Sequence, residues 1–399
     1  MKRLMILGGF KALIPIIKEA QRLGCYVITC DYLPDNIAHK YSNEYCNVDL
    51  SDKEAVLEAA KALNIDGIMT FSSDFPLRAV AYVAEKLGLP CVGTYESVSI
   101  LNNKGRFRKF LGEHGFNVPV AKSYKSIEPA LEDIGLFHWP VIVKPTDSSS
   151  SKGVTKVNHP EELQSSIKYA LSFSPSHEFI IEDYIQQKGY ASDSDCFSVD
   201  GVLKFVSFNS QRFDARAENP LAPAAYSWPS SMPIDKQKEL TSELQRLVTL
   251  LNLKSSLYNV ETREGVDGKV YIMEFTPRGG GNRIPECVEH ATGVKLLENA
   301  VRAAVGMPIE GIEQRECKGY WTQLAVHSYR NGLFKELWID ESVRKHIVDT
   351  DIWAEPGEEV RSYTSVTNVV GLILFHFESK DEWESISERI SDYVRVVLY

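Results

Sequence analysis

The 399-residue sequence has no run that approaches the roughly 18 apolar residues a membrane span requires. It has no C-x-x-C pair, and its seven cysteines, Cys25, Cys30, Cys46, Cys91, Cys196, Cys287 and Cys317, are odd in number and widely spaced. That speaks against a zinc site or a disulfide framework and fits a reducing compartment. Positive charge is also short: 44 Lys and Arg face 54 Asp and Glu, a formal net charge of −10. A broad nucleic-acid surface needs clustered Lys and Arg, so nucleic acid is not an expected partner, although a local basic pocket for phosphates remains open. The spacings G-x-G-x-x-G and G-x-x-x-x-G-K-[ST] are both missing, which removes the dinucleotide fingerprint and the Walker loop. The start, MKRLMILGGFK, resembles a signal sequence only briefly: Leu4 to Leu7 is too short an apolar run and Lys11 follows it. The expected location is cytoplasmic, with no membrane partner.

What is present is an ordinary globular composition, 44% hydrophobic and 25% charged, in a chain long enough for about two or three domains. The first 95 residues alternate strand and helix. Leu4 to Leu7 reads as a buried strand, Ala12 to Leu23 as a helix ended by Gly24, and Tyr26 to Cys30 as a second strand closing on Asp31. Lys53 to Leu63 and Pro76 to Leu87 read as helices, with strands at Gly67 to Phe71 and Pro90 to Gly93. Repeated βαβ units imply a parallel, Rossmann-like sheet. Asp31 stands near the place of a ribose-binding acid, but without the glycine pattern it is weak support for NAD. Ser72-Ser73-Asp74 follows a strand end and can reach a cleft; for Asp74 the simpler expectation is a helix N-cap.

The middle segment, residues 96 to 315, carries the chemistry. Asn102-Asn103-Lys104 opens a basic helix running to about His114, with Lys104, Arg106, Arg108 and Lys109; a solvated face is the usual meaning of such a run, and one cation can also point at a phosphate. A β-branched strand from Val141 delivers Lys144, and the small polar stretch Thr146 to Gly153 follows, including Ser148, Ser149, Ser150 and Ser151. Backbone N–H groups and hydroxyls in such a loop can wrap phosphate oxygens. Because Val154 to Val157 returns as a strand, the loop is a hairpin tip. The run Phe179 to Ile185 is a strand leading into a link whose extended backbone can meet the edge of an adenine. Asp200-Gly201 joins two further strands, and Glu239 to Leu251 is helical.

The organising stretch is Tyr271 to Pro285. A strand delivers Glu274, then Arg278 and Gly279 to Gly281 follow. Upstream, Asn259-Val260-Glu261 closes another apolar run, and Val266-Asp267-Gly268-Lys269 reads as the turn between them, Asp-Gly supplying the positive φ. The hairpin brings Glu261 and Glu274 side by side. Adjacent carboxylates repel unless a cation lies between them, and Mg²⁺ takes carboxylate and phosphate oxygens. Two solvated glutamates on a surface hairpin are the plainer alternative. The run Ile284 to Val305 reads as helical.

In order and spacing these features resemble the ATP-grasp superfamily over residues 100 to 310: Asn103-Lys104, Pro140-x-Ile142-x-Lys144-Pro145 with its small-residue loop, Glu182-Asp183-Tyr184-Ile185, Glu261, and Glu274-x-x-Pro277-Arg278 with glycines. The N-terminal part resembles the domain that precedes the grasp in carbamoyl-phosphate synthetase-like and purine-pathway ligases. Carboxylate–amine ligases, including L-amino-acid ligases, are the nearest likeness. The resemblance implies a multidomain α/β and α+β architecture. A Rossmann-like domain would span residues 1–95 and an ATP-grasp domain 96–315, with a lid subdomain at about 120–185. A small C-terminal α+β domain would span 316–399.

The resemblance also implies ATP and Mg²⁺ as cofactors and residue roles to match. Lys104 and Lys144 would hold phosphates. Ser148 to Gly153 would cover them. Glu182, Asp183, Tyr184 and Ile185 would meet the adenine, and Glu261 and Glu274 the metal, with Thr276 where many relatives have Asn. Arg278, with Lys144, would serve the reacting phosphoryl and acyl groups. The ribose acid of many relatives falls at Ala191, with Asp193 or Asp195 as substitutes. These two departures motivate the alternative of a nucleotide-binding regulatory protein without turnover. Small-molecule carboxylate and amine substrates are the implied partners, and a homodimer is common among relatives.

Arg212, Arg216, Gly280, Asn282 and Arg283 are candidates to hold substrate, and the Pro-, Ala- and Ser-rich stretch Glu218 to Pro233 is expected to be a loop. In the last segment, Tyr320 to Tyr329 and Val369 to Phe377 read as strands, and Asp381 to Leu398 reads as one amphipathic helix. His327 and His376 are expected to be structural.

Overall fold

The computed structural model describes residues 1–148 and 151–399. Strands β1 (Arg3–Leu7), β2 (Tyr26–Asp31), β3 (Glu44–Asn47) and β4 (Gly67–Met69) form a parallel sheet in the order β3-β2-β1-β4. Strand periodicity sends alternate residues to opposite faces. Met5 and Leu7 pack under Val56, Leu57 and Val83 of the helices Lys53–Ala62 and Leu77–Leu87. Leu4 and Ile6 instead share a core with Ile16, Ile17, Val288, Val301 and Val305. Those last three belong to the helices Ile284–Thr292 and Leu296–Val305, so the first sheet is welded to the middle of the chain.

The next sheet, in the order β5-β8-β6-β7, contains β5 (Ala121–Tyr124), β6 (Val141–Pro145), β7 (Thr155–Val157) and β8 (Phe179–Asp183), with the helix Leu163–Leu171 on its apolar face. β6 and β7 pair antiparallel, Val141 with Val157 and Val143 with Thr155. Ser149 and Ser150 lie outside the described residues.

Strands β9 (Ser192–Val199) and β10 (Val202–Val206) turn at Asp200-Gly201, both at positive φ. Two strands then follow, β11 (Ser210–Phe213) and β12 (Pro223–Trp228). The expectation of a loop at 218–233 is corrected here: all six residues of β12 are buried, because it pairs with β11 on one edge and with β15 (Tyr320–Val326) on the other. Between them in the chain, β13 (Ser256–Glu264) and β14 (Val270–Thr276) form the expected hairpin and complete the sheet β10-β9-β13-β14, backed by the helix Ile234–Leu250.

The C-terminal strands are β16 (Gly332–Ile339), β17 (Ile347–Ile352), β18 (Glu359–Val360), β19 (Gly371–Phe377) and β20 (Val394–Leu398). They form β11-β12-β15-β19-β17 and β18-β16-β20, so strands from both sides of residue 316 share one sheet. The single terminal helix is also corrected: the helix Lys380–Ser387 and a short turn give way to β20, whose β-branched residues pair with β16. Gly293, at φ +76°, breaks the helical run 284–305 into two. Pro90 to Gly93 forms no strand. No helix among the described residues is long and apolar enough to cross a membrane.

The contact between β4 and the helix Leu296–Val305 is close enough to demand a glycine. A Cβ on Gly67 would lie 2.1 Å from the Ala304 carbonyl oxygen. Gly67→Ala is expected to cost about 1–3 kcal/mol, read as a lower urea midpoint. Gly135→Ala, whose added carbon would have no neighbour within 4 Å, should leave the midpoint nearly unchanged.

Candidate active site

The site lies where the first sheet, the β5–β8 sheet and the β13–β14 hairpin meet. Asn103 caps the helix Lys104–Glu113 by accepting the Arg106 N–H at 2.9 Å, which makes Lys104 its first residue. Lys104 Nζ then reaches Glu274 Oε1 at 2.8 Å and donates to the Ser148 carbonyl at 2.9 Å. On β6, Lys144 pairs with Glu182 of β8, whose second oxygen takes Arg108 Nε at 3.0 Å. Burial by itself would raise the Glu182 pKa, but the Arg108 and Lys144 charges outweigh it and bring the carboxyl down to about 2. Lys144 is drawn below its ordinary range by burial; Glu182 opposes this, and the nearby Arg108 and Lys104 charges add to it.

The register of β13 and β14 sets Glu261 directly opposite Glu274 and Asn259 opposite Thr276. Glu274 resists the upward push of burial through Lys104, then Lys144 and Arg278, and is held at about 2. Glu261 pairs with Arg263, the next residue on the same side of the strand. Arg278 Nε donates to Asp74 Oδ1 at 2.7 Å, and its Nη1 donates to Asn259 Oδ1 at 2.9 Å. Asp74 is therefore the partner of Arg278 and not a helix cap, since the following helix begins after Pro76.

One cleft of about 430 Å³ collects Lys104, Lys144, Ser148, Ser151, Glu182, Asp183, Tyr184, Ile185, Glu261, Glu274, Arg278 and Asn282. A larger one beside it, about 890 Å³, shares Asp74, Lys104, Ser148, Lys152 and Glu274, and adds Arg78 and Thr276. Tyr184 N–H donates to the Pro140 carbonyl at 3.0 Å, whereas the Ile185 N–H has no acceptor among the described residues, which leaves it open to a base edge. Gly153 sits at φ +71°, where a Cβ would press on Phe173 and Pro145 at 3.1 Å, so only glycine turns the loop there.

Several expected substrate residues are turned elsewhere. Arg212 donates to Ser227 and pairs with Glu388. Arg216 pairs with Asp214 and Asp392. Arg283, at positive φ, pairs with Glu286 and Asp349. None of the three lines the cleft. Gly280 spends its N–H on Asp195 Oδ1 at 3.0 Å. Ala191 is fully buried, and Asp195 lies beneath the glycine turn, its pKa pushed up to about 8 by burial. Asp193 does face the cleft, and burial, with Glu261 next to it, raises its pKa to about 7. His327 is buried against Asp214 and Tyr363, as a structural histidine would be.

The residues present fit a Mg²⁺–nucleotide. Glu261 and Glu274 face each other across the hairpin and would supply the carboxylate oxygens of a Mg²⁺ shell that phosphate oxygens would complete. Arg263, which lines the same cleft, has a buried Nε with no partner.

Residues 137–286 match the family described as the ATP-grasp domain. The chain carries an ATP-grasp domain. Beyond that span, the chain is 27% identical over 370 residues to the carbamoyl phosphate synthase large chain of Pseudothermotoga lettingae, covering 88% of this chain and 32% of that protein. It thus spans about a third of the length of that relative. The fold is that of the ATP-grasp ligases. The L-amino acid ligase from Bacillus licheniformis superposes with a TM-score of 0.82 at 21% identity, covering 100% of this chain and 99% of the other. The biotin carboxylase domain of the Hydrogenobacter thermophilus 2-oxoglutarate carboxylase, a dimer seen with MgADP and bicarbonate, gives 0.75 at 14% identity over 99% and 90%.

The Glu182 pair has a pH signature. In the fold its pKa is brought down to about 2 from the ordinary glutamate value of 4.5, so its contribution is complete above pH 4.5 and disappears as pH falls towards 2. From that shift it amounts to about 3 kcal/mol. Urea midpoints of the wild type should fall across that window. Glu182→Gln should start lower at neutral pH, because Lys144 and Arg108 lose their partner, and should show a flatter decline.

Proposed function

We propose that the chain is an ATP- and Mg²⁺-dependent ligase that joins a small carboxylate, such as an amino acid, to an amine through an acyl-phosphate. The observation that carries this reading is the convergence of Lys104, Lys144, Glu261, Glu274 and Arg278 on one cleft. Lys104 and Lys144 would neutralise the phosphates, and Ser148 with Ser151 to Gly153 would lie over them. Glu261 and Glu274 would hold Mg²⁺, which supplies charge neutralisation at the phosphate oxygens. Arg278 has the planar fork to hold carboxylate and phosphate oxygens together. The carboxylate attacks the γ-phosphorus and ADP leaves; the amine then attacks the acyl carbon and phosphate leaves. The protein's part is positioning, charge neutralisation and exclusion of water.

Asp74, from the first domain, is a positioning residue for this reaction, because it holds Arg278 in place. The likeness to the carbamoyl phosphate synthase large chain and to the L-amino acid ligase supports the reaction class.

With ATP, Mg²⁺ and a panel of amino acids and small carboxylates, ADP and phosphate should appear in a substrate-dependent manner. Glu274→Gln should reduce that release at least about a hundredfold. Tight ATP binding without release across the panel would return the protein to the nucleotide-binding alternative. Asp74→Asn should lower kcat about ten- to a hundredfold while the KM for ATP moves little, since a displaced Arg278 harms the reacting geometry more than nucleotide binding.

A further inference from the structure

The cleft has an acceptor-lined end that the ligase reading leaves unused. Asp193 Oδ1 takes the Asn259 Nδ2–H at 2.9 Å, while Oδ2 has only a 3.4 Å contact from the Tyr226 hydroxyl. Asn259 in turn accepts from Arg278, so Asp193 is one carboxamide away from the group that faces the reacting centre. Beside it, Gln211 of β11 is 4% exposed and lines the cleft, yet its Oε1 has no partner and its Nε2 donates to none of the described residues. A buried carboxamide left unpaired is costly unless a ligand completes it. The wall around the two is apolar: Phe213, Leu221, Pro223 and Ile284. The two arginines of the cleft wall nearest to Asp193 are already paired, Arg263 with Glu261 and Arg278 with Asp74, and Arg212, Arg216 and Arg283 are engaged in ion pairs away from it.

We propose that Asp193 and Gln211 form the seat of the amine substrate, and that this substrate is a primary ammonium with an uncharged, largely apolar body and no carboxylate of its own. The proposal rests on the ligase reading. An ammonium offers the N–H donors that Asp193 Oδ2 and Gln211 Oε1 lack, whereas a second carboxylate would meet the Asp193 carboxylate and only cations that are already paired. In the transfer, the ammonium gives one proton to water. Its freed lone pair forms the C–N bond as the C–O bond to phosphate breaks. Phosphate leaves with that electron pair and takes the second proton.

The test separates the two readings. Hydroxylamine, supplied with ATP, Mg²⁺ and the carboxylate panel, traps an acyl-phosphate as a hydroxamate whatever the natural amine is. Matched pairs are then compared as acceptors by mass spectrometry of the amide: phenylalanine with phenethylamine, leucine with 3-methylbutylamine, and alanine with ethylamine. The decarboxylated member of each pair should have the lower KM, by at least tenfold. Asp193→Asn and, separately, Gln211→Leu should raise the KM for the amine at least tenfold, with a smaller change in kcat; the second variant keeps the test open if the first folds poorly. Hydroxamate formation with amino acids preferred over their amines, or an amine KM within twofold of wild type in both variants, overturns the seat alone. Absence of hydroxamate with every carboxylate overturns the ligase reading, and the seat falls with it.

Discussion

Charge buried in the cleft is the constraint from which the rest of the site follows. An ion taken out of water costs several kcal/mol unless it is paired. Glu182 and Glu274 are held ionised only because Lys144, Arg108 and Lys104 press against them. Three cations around two carboxylates leave positive charge in excess, which suits a polyanion such as a nucleotide triphosphate. The remaining pairs, Arg278 with Asp74 and Arg263 with Glu261, are balanced. Nucleotide and metal therefore belong together in the proposed reaction. A phosphate that draws Lys104 away leaves Glu274 as a half-buried carboxylate in need of a new cation.

That balance depends on parts of the chain far apart in sequence. Lys104 comes from a helix start, Lys144 and Glu182 from the antiparallel β5–β8 sheet, and Glu274 and Arg278 from the β13–β14 hairpin and its glycine turn. Asp74 follows β4 of the first sheet, 204 residues from Arg278. The shared core that joins Leu4 and Ile6 to Val288 and Val301 fixes the first sheet against the helices that follow the turn. Gly279 and Gly280 belong to the same joint: a Cβ on Gly279 would lie 2.4 Å from Phe71. Glycine here serves close packing against the segment that follows β4, and the Gly280 N–H serves Asp195.

Local chemistry made much of this legible. Asp267-Gly268 sets the turn and, through it, the pairing of Glu261 with Glu274. The β-branched strand before Lys144 and the Asn103 cap before Lys104 are likewise short-range signals. Arg263 was within reach of the same reasoning, since it lies two residues beyond Glu261 on one strand face. What the sequence hid is non-local. β12 carries Pro, Ala and Ser and looks like a loop, yet it is buried because β15, about a hundred residues later, pairs with it. Arg212, Arg216 and Arg283 find their carboxylates in Glu388, Asp392 and Asp349 of the last segment, which no spacing reveals. β20 has the apolar content of a helix face, and only its pairing with β16 makes it a strand.

The most direct measurement of the account is the Mg²⁺ dependence of ATP affinity, by calorimetry on the wild type and on Glu274→Gln. If Glu274 passes from Lys104 to the metal as the nucleotide binds, ATP should bind the wild type at least tenfold more tightly with Mg²⁺ than with EDTA, and the ratio should shrink in Glu274→Gln. Equal affinity with and without Mg²⁺ in the wild type, or the same ratio in both proteins, would contradict the account.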